Sequence, residues 1–572
     1  MRRWLALCFI CLWGWPTAAQ IRFDSIEFGF NGRYLPETLT PLSVIISNGS
    51  TTLNALLEVT QELRAGEAVE RVSVSVSLPP RTRKTLSLDF LVRGVSVPVE
   101  LRLLRADGHE LIRTEIPLRE RWSEQPFVLA LEAPEVPNAE PYAFDKLFKR
   151  WTSYESVQRL YWGRLDPARL SDEQRTALYQ WVLRGGELVI LGGRYALEHL
   201  GLGLPSGAPE TPQGWWAALL PLSRPQIVER AGEMRLDGEL RAGARVIARD
   251  SHGHPLWWER PLGLGRVWLS AVEAPNQWER LSERERSRVD EALLVERALG
   301  REIVPVPSRL WLVFVLVVFV LGVAALHRWQ RQKPHLGLPL TVAWAFSLAL
   351  LVGGYLRQPD FVRQYYSLEL SVLWSWRGER FGLEQSWYAI FSQRAGEQQL
   401  TVRSDGVKNL TRTGQTPRAL SVNFDSPVSE KTVRFYGESL SLRSFKAERF
   451  SPAQIEFWVD ASSSPPKVFV SNRSSESLER VAVRWRGAFY MLGEVAAQSD
   501  AEVALSAAST EEEWVRALDE AARTLWQHVR GQLAPVVLVA WRGSGSSLWG
   551  ERDTELRRAR NLVVIAGRER DL

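Results

Sequence analysis

Two long apolar stretches in the middle of the chain constrain its fold more than any other feature of the sequence. Residues 310–326 contain 17 positions without a charged side chain, and residues 336–356 contain 21. A helix needs about 20 apolar residues to cross a bilayer. We therefore predict two transmembrane helices, one at 310–326 and the other at 336–356.

The segment between the apolar stretches predicts their orientation. Residues 327–335 read HRWQRQKPH and contain Arg328, Arg331 and Lys333 but no acidic residue. Short basic loops stay on the cytoplasmic side of a membrane. We predict a cytoplasmic loop at 327–335 in the cytoplasmic membrane. Most of the chain then lies on the external or periplasmic side, with the lipid bilayer as a partner.

The N-terminus has the pattern of an export signal. Arginines at positions 2 and 3 precede an apolar run over 5–13, and the small residues at 17–19 are typical of a cleavage site. We predict a signal peptide over residues 1–19, and its cleavage is left open. An exported chain agrees with the external location predicted above.

Composition excludes several classes of function. The net charge of +5 over 572 residues is too small for a dedicated nucleic-acid binder. Cys8 and Cys11 are the only cysteines, and both lie in the signal segment, so the mature chain has no disulfide and no catalytic thiol. We expect no cofactor, no metal and no nucleic-acid partner. Other envelope proteins are the expected protein partners.

Residues 20–120 have the pattern of an antiparallel β-sandwich. Short runs rich in Val, Leu and Ile are separated by Pro, Gly and Asn, as in sandwich domains. Within one run, Val72, Val74 and Val76 alternate with serines, so we expect the valines to point inward. We predict an Ig-like sandwich over 20–120.

Strands and helices alternate from residue 126 onward. Phe127–Leu131, Val157–Tyr161 and Leu188–Leu191 read as strands, and a helix between the last two has Ser171 as its N-cap. Such alternation implies a parallel sheet with helices on both faces. We predict a doubly wound α/β domain over 126–300.

The stretch LSDEQRTALYQWVLRGGELVILGG, residues 170–193, resembles a segment of class I glutamine amidotransferase-like domains. In that family a helix leads through a double glycine to an elbow strand, and working members carry a cysteine there with a histidine and a carboxylate to activate it. Gly192 and Gly193 occupy the nearest elbow positions in this chain. The resemblance therefore implies a degenerate, amidotransferase-like domain without a catalytic residue.

The same elbow predicts a binding site. Backbone N–H groups that follow a strand can hold an anion or a peptide carboxylate. Arg194 adds a positive charge directly after Gly192 and Gly193. We predict these three residues as ligand-binding residues.

Several other residues have side chains that could bind a metal or take part in catalysis, but they are better explained by local structure. His252 and His254 have the H-x-H spacing of zinc ligands but fall in a predicted turn. The GSGSS stretch at 543–547 follows a strand but lacks the lysine of a P-loop. Ser544 and Ser270 do not fit a nucleophile elbow. We predict no metal site and no catalytic serine.

The pattern returns to strands beyond the second apolar stretch. Residues 368–374 alternate apolar and polar side chains, and further short apolar runs predict a β-rich external domain over 362–507. Thr510 and Glu513 form a capping box for a helix. We predict a C-terminal segment of helix and strands over 508–572.

The arrangement as a whole resembles a group of uncharacterised bacterial two-pass envelope proteins. The resemblance implies this architecture but no activity. We predict a non-catalytic, membrane-anchored envelope scaffold or binding protein with a pseudoenzyme domain. Two alternatives stay open. One is a hydrolase that uses a non-thiol nucleophile or a metal at the α/β crest, and the other is an accessory subunit of a transport or secretion assembly.

Overall fold

The computed structural model describes residues 21–49, 51–64, 67–134, 136–196, 219–230, 233–241, 243–273, 291, 309–332, 341–349, 365–376, 378–392, 396–410, 420–423, 430–437, 441–518, 520–531, 537–542 and 558–566. The predicted signal peptide at 1–19 lies outside the described residues. So do the GSGSS stretch and most of the helix expected before residue 300.

The N-terminal part of the chain forms two antiparallel sheets packed face to face. Its strands are β1 (Arg22–Phe28), β2 (Leu39–Ser47), β3 (Leu53–Arg64), β4 (Glu67–Leu78), β5 (Arg83–Leu91), β6 (Val99–Arg105) and β7 (Glu110–Ile116). One sheet has the order β1–β2–β5, and the other contains β4–β3–β6–β7. Val72 and Val76 point into the core between the sheets, and Val74 packs at its margin.

A tight turn after β1 connects this part to the next. The backbone N–H and C=O groups of Phe30 and Arg33 bond each other, at 2.8 and 2.9 Å. Gly29 has φ +66°, and a Cβ there would lie 1.9 Å from the Arg33 carbonyl oxygen, so the turn requires glycine. Phe30 is fully buried by its aromatic neighbours. These are Phe127, Tyr142, Phe148 and Tyr154.

Residues 127–270 form a mixed seven-stranded sheet and a separate hairpin. The strands are β8 (Phe127–Leu131), β9 (Glu140–Pro141), β10 (Val157–Trp162), β11 (Glu187–Ile190), β12 (Leu222–Arg230), β13 (Glu233–Leu240), β14 (Arg245–Arg249), β15 (Pro255–Leu262) and β16 (Gly265–Ser270). The sheet order is β14–β15–β16–β11–β10–β8–β9, and β12 pairs with β13 as the hairpin. Neighbours from β16 to β9 are parallel, whereas β14 and β15 are antiparallel additions.

Helix α1 (Asp172–Arg184) connects β10 to β11 and begins where the sequence predicts. The Gln174 backbone N–H donates to Ser171 Oγ at 3.3 Å, and the Ser171 N–H donates to Gln174 Oε1 at 3.0 Å. This reciprocal pair is a capping box, which satisfies two otherwise unpaired donors. The predicted apolar face is buried, including Trp181 and Val182.

Helix α2 (Arg309–Gln332) is exposed and apolar on all sides. Its segment Val313–Arg331 has a mean hydropathy of 1.8, and none of it is buried in the protein. Among the described residues, this is the one helix long and apolar enough to cross a membrane, judged by length and composition.

The prediction of two transmembrane helices is wrong. Residues 341–349 are helical, and Trp344 packs beside Phe319 of α2 with 5.4 Å between ring centroids. This second helix is described over about half of the roughly 20 residues that a bilayer requires. Hydropathy identified two apolar stretches, but among the described residues only one helix has the length that a bilayer requires.

Residues 365–566 form most of the remaining sheet structure. The strands are β17 (Tyr365–Trp376), β18 (Phe381–Ser392), β19 (Gly396–Arg403), β20 (Gly406–Asn409), β21 (Leu420–Asn423), β22 (Glu430–Gly437), β23 (Ser441–Pro452), β24 (Ile455–Asp460), β25 (Lys467–Asn472), β26 (Leu478–Trp485), β27 (Ala488–Val495), β28 (Ser499–Ala504), β29 (Val537–Arg542) and β30 (Arg558–Ala566). Eight of them form what we call the central sheet, with the order β20–β23–β18–β17–β30–β29–β26–β27. A smaller sheet has the order β24–β25–β28.

Strands from the two halves of the chain share one sheet. β21 pairs in parallel with β4, and Val422 lies opposite Val72. The resulting seven-stranded sheet has the order β19–β22–β21–β4–β3–β6–β7. The segments before and after α2 are therefore joined by a continuous hydrogen-bonded sheet.

The central sheet is covered on both faces. On one face, Leu370 and Trp374 of β17 belong to the large core that also contains α1 and the mixed sheet. On the other face, Tyr388 packs under β19 and β22, and Val563 packs under β24, β25 and β28. This second face thus has two separate apolar covers.

The prediction of a doubly wound α/β domain over residues 126–300 is wrong. Within the described part of 126–300, α1 is the one complete α-helix, whereas a doubly wound sheet has helices on both faces. Residues 245–262 return as antiparallel strands, and the layer beyond α1 is the central sheet. Local alternation of strand and helix does not reveal that a distant sheet supplies the cover.

The C-terminal segment has two short helices, α3 (Glu511–Arg516) and α4 (Glu520–Arg530). The Thr510–Glu513 capping box is confirmed, since both of its hydrogen bonds are present at 3.2 Å. Trp514 of α3 and Trp526 of α4 contact each other and enter the large core.

We expect Phe30→Ala to lower the free energy of unfolding by about 3–5 kcal/mol, because it empties a buried aromatic site. Urea unfolding of the full chain in detergent, followed by tryptophan fluorescence, measures this change. Phe314→Ala is the matched control, since Phe314 is 53% exposed, and it should change stability by less than about 0.5 kcal/mol. Equal effects of the two variants would contradict the anchoring role of Phe30.

Candidate functional site

The predicted ligand-binding residues Gly192, Gly193 and Arg194 lie together after β11, and we call this position the crest. A Cβ on Gly192 would lie 2.1 Å from the Ser270 carbonyl oxygen, so this position cannot hold a side chain without rearrangement. The Gly193 N–H donates to the Ala271 carbonyl at 3.2 Å, and the Arg194 N–H donates to Glu273 Oε1 at 2.8 Å. These two donors are used within the protein, so an anion would have to displace Glu273. Binding at this crest stays a prediction.

The other singled-out residues have structural partners. The Asp250 carboxylate accepts the backbone N–H groups of His252 and His254, each at 2.9 Å, and pairs with Arg235. Desolvation opposes ionisation, but these contacts lower the pKa of Asp250 to about 2. Ser270 is fully buried, and its Oγ accepts the Val272 N–H at 3.1 Å. No group of three potential metal ligands occurs among the described residues.

A buried ion network joins α1 to the central sheet, and we call it the junction network. Arg184 Nε donates to Glu448 Oε2 at 2.9 Å, and Lys446 Nζ lies 2.9 Å from Glu448 Oε1. Glu155 lies 3.6 Å from Arg184 and 3.4 Å from Lys408. Each of these charges therefore lies beside an opposite charge, and the pairs Arg184–Glu448 and Glu155–Lys408 connect different layers of the protein.

The electrostatics of the junction network keep its carboxylates ionised. Burial raises the pKa of Glu448, but the adjacent Arg184 and Lys446 outweigh burial and hold it well below its usual range. Burial acts in the same way on Glu155, and Lys408 and Arg184 lower its pKa overall. Buried charges with matched partners of this kind fix how layers fit together. The network therefore has a structural role.

A second polar group lies on the opposite face of the central sheet, between the two apolar covers. Glu369 lies opposite Tyr388 across the β17–β18 pair, and Ser371 lies opposite Ser386. Glu384 follows on β18 at the same face. All five side chains are at least nine-tenths buried. We call this set the polar column.

Glu369 is an acid of the polar column that has no basic side chain hydrogen-bonded to it in the described part of the chain. Its Oε1 accepts the Tyr388 hydroxyl at 3.2 Å, and the Ser386 side chain is a second hydrogen-bonding neighbour. Burial, followed by the nearby charge of Glu384, raises the pKa of Glu369 to about 8. Glu369 is therefore protonated at neutral pH. Arg449 Nε donates to Glu384 at 2.7 Å.

A cavity of about 300 Å³ opens at the Glu384 end of the polar column. Its walls come from β17, β18, β23 and the turn after β25. The lining is mostly polar and consists of Leu373, Ser375, Gly382, Glu384, Arg449, Ser451, Pro452, Ala453, Gln454, Ser474, Ser475 and Glu476. The polar column and this cavity form the candidate functional site.

Another cavity, of about 330 Å³, lies beside the Phe30 turn. Lys146 Nζ pairs with Glu27 Oε1 at 2.9 Å on its wall, and the Tyr142 hydroxyl donates to the Lys146 carbonyl at 3.1 Å. These contacts link the N-terminal sheets to the mixed sheet. The cavity is thus a groove at a junction between layers.

Sequence reasoning missed the candidate site. Glu369 and Ser371 alternate with Leu370 and Val372, which is the pattern of a strand with one solvent-exposed face. In the structure both faces are covered, and the polar face lies under two further layers, one from β19 and β22 and the other from β24, β25 and β28. An acid at the centre of a long apolar strand was the available signal.

We expect Arg184→Met to lower the free energy of unfolding by about 3–5 kcal/mol, because Glu448 would lose its partner while remaining buried. The matched control is Arg194→Met, at a side chain that is 72% exposed, with an expected change below about 0.5 kcal/mol. Urea unfolding in detergent gives both values. A near-neutral Arg184→Met would show that the junction network is dispensable.

Glu369 makes the stability depend on pH. Because its folded pKa of about 8 exceeds its ordinary value of 4.5, the unfolded chain releases this proton first, and stability falls as pH rises between those values. We expect Glu369→Gln to become progressively more stable than the wild type from about pH 5 to about pH 8.

Urea unfolding across that range measures the effect of Glu369→Gln. Glu502→Gln, at an exposed carboxylate paired with Lys467, is the control and should run parallel to the wild type. A Glu369→Gln curve that is also parallel to the wild type would contradict the protonated state of Glu369.

Comparisons with known proteins identify a domain but no activity. A domain of unknown function (DUF8726) matches residues 24–119, which comprise the N-terminal sheets. The comparison with curated proteins gives no match. An exo-β-1,4-mannosidase from Opitutaceae bacterium strain TAV5 is similar in structure at 17% identity, with a TM-score of 0.14. The match covers 25% of this chain and 25% of that enzyme, and at this overlap the likeness assigns neither fold nor activity.

Proposed function

We propose that the protein is a non-catalytic binding or scaffold protein, anchored in a membrane by α2. The observation that carries this proposal is the exposure of α2. Leu316 and Leu321 are 61% and 63% exposed, in a helix whose apolar window has no buried residue. Such a helix is unfavourable in water, and a lipid bilayer provides the apolar surroundings that it lacks.

The sheet structure supports a body located on one side of the membrane. β4 precedes α2 and β21 follows it, yet the two strands pair directly. Arg184 and Glu448 form a further link across α2. The segments before and after α2 therefore belong to one body. Arg328 and Arg331 favour the cytoplasmic side for the C-terminal end of α2.

The use of charged residues supports binding or scaffolding rather than catalysis. At the crest, glycines occupy the elbow, and the backbone N–H groups of Gly193 and Arg194 donate to Ala271 and Glu273. The buried charges of the junction network form ion pairs with one another. The amidotransferase-like assignment is not retained, because the described sheet lacks the doubly wound arrangement.

The test replaces Leu316 and Val320 by Asp, one turn apart on α2. Each Asp near the centre of a membrane helix costs about 2.5–3.5 kcal/mol, so the double variant should move from the membrane pellet to the soluble fraction in alkaline carbonate extraction. The matched control replaces exposed Val95 and Leu240 of the β-rich body by Asp and should stay in the pellet. Retention of the α2 variant in the pellet would refute anchoring by α2.

A further inference from the structure

The small sheet of β24, β25 and β28 covers the central sheet with one face and turns the other to solvent. Ile455, Phe457 and Val459 of β24 belong to the core beneath it. Side chains alternate between the two faces of a strand, so the residues between these three lie on the opposite side. We call that side the outer face, and each of its residues is half-buried or exposed. It consists of Glu456, Trp458, Asp460, Lys467, Phe469, Ser471, Asp500, Glu502 and Ala504.

The middle row of the outer face is aromatic. Trp458 lies opposite Phe469, and Glu502 lies opposite Phe469 on the next strand. The two rings are stacked, with 5.3 Å between their centroids and 8° between their planes. Both rings point away from the core beneath the sheet, to which Phe457 and Val470 contribute. Aromatic rings attract cations to their faces, so this row provides a contact surface for a positively charged group.

Acidic residues outnumber basic residues on the outer face. Its nine positions hold four carboxylates and one ammonium group, that of Lys467. Arg473, directly after β25, adds a guanidinium at the margin. Lys467 pairs with Glu502 at 2.6 Å, and Arg473 pairs with Asp500 at 3.1 Å. The outer face therefore has a net negative charge, even when Arg473 is included.

The ion pairs of the outer face are exposed and exchangeable. The side chains of Lys467 and Glu502 are 43% and 49% exposed. The hydrogen bond to Glu502, together with the charges of Glu502 and Asp460, raises the pKa of Lys467. Exposed ion pairs contribute little to stability, so a cation from another molecule can replace Lys467 or Arg473 at small cost.

The spacing along β24 fits an extended chain. Glu456, Trp458 and Asp460 occupy every second position of the strand, so neighbouring side chains of this set are about 7 Å apart. An extended segment that lies along β24 has its own side chains at the same interval. An arginine guanidinium stacks on aromatic rings and forms two parallel hydrogen bonds with a carboxylate, whereas a lysine ammonium is a compact point charge. Arginine therefore suits a surface on which rings and carboxylates alternate.

We propose that the outer face binds an extended, arginine-rich segment of a partner protein, with arginines at alternate positions over the carboxylates and the stacked rings. The net negative charge of the outer face repels anionic lipid headgroups and nucleic acids. This proposal names a partner class for the proposed binding or scaffold function and rests on it. It does not depend on anchoring by α2.

The test measures peptide binding to the full chain, solubilised in a nonionic detergent, by isothermal titration calorimetry. The probe is an acetylated and amidated octapeptide in which arginine alternates with serine. Three comparison peptides carry lysine, glutamine or glutamate in place of arginine. The arginine peptide should bind, the lysine peptide should bind more weakly, and the other two should not bind. Because binding is measured in detergent, a failure here is distinct from a failure of membrane anchoring.

Ionic strength provides a second readout. The charges of the outer face are exposed, so salt should screen their attraction for the arginine peptide. We expect the affinity to fall by at least about threefold between about 50 and 300 mM NaCl. An affinity that does not change over this range would overturn the proposal, since contact with the rings alone is insensitive to screening.

Two surface variants locate the binding. Trp458→Ala removes the larger ring and should weaken binding of the arginine peptide by at least about threefold. Glu456→Gln combined with Asp460→Asn removes two charges at nearly constant volume, should have a similar effect, and replaces the first variant if that one does not fold. The matched controls are Trp122→Ala, at a residue that is 41% exposed, and Glu115→Gln, at a side chain that is 54% exposed. Both controls should bind as the wild type does.

Three further outcomes would overturn the proposal. The first is absence of binding by the arginine peptide, and the second is equal binding by the glutamine or glutamate peptide. The third is unchanged affinity in the folded surface variants. Equal binding by the lysine peptide would overturn the assignment of arginine as the recognised side chain.

Discussion

The large hydrophobic core that crosses the whole body is the feature on which the rest of the structure depends. It begins at Phe30, continues through the mixed sheet and α1, and includes Leu370 and Trp374 of the central sheet. Because its residues come from both sides of α2, neither half of the chain can bury its apolar surface alone. The predicted domain boundaries mark changes of pattern along the sequence, but this core extends across them.

The two faces of the central sheet show two ways to bury acidic residues. On the α1 face, Glu448 stays ionised because Arg184 and Lys446 accompany it from neighbouring elements. On the other face, Glu369 has Glu384 as its charged neighbour and is held in its neutral form. Paired charges specify how two layers align, whereas a neutral acid retains a proton that it can donate. The first arrangement is suited to architecture and the second to recognition.

Local features of the fold could be predicted from the sequence, because the residues that determine them are close together. The capping boxes at Ser171 and Thr510 involve partners three residues apart, and the apolar face of α1 follows from helical spacing. The layer arrangement could not be predicted in this way. An alternating strand such as β17 records which side chains share a face, but it carries no information about what covers that face.

The same limit applies to the candidate site. Gly192, Gly193 and Arg194 were found because they form a contiguous signal after a strand. The polar column combines residues of β17 and β18, and its cavity also requires β23 and the turn after β25. Their proximity depends on register between strands, which no short stretch of sequence specifies.

The pairing of β21 with β4 also determines the order of events during synthesis. Val72 and its partner Val422 are separated by about 350 residues, and a ribosome adds roughly 5–20 residues per second. The edge of β4 is consequently without its final neighbour for about 20–70 s after that strand has been made. An open edge of this kind recruits other strands, including those of identical chains. The newly made N-terminal sheets therefore require shielding from one another until the last third of the chain is synthesised.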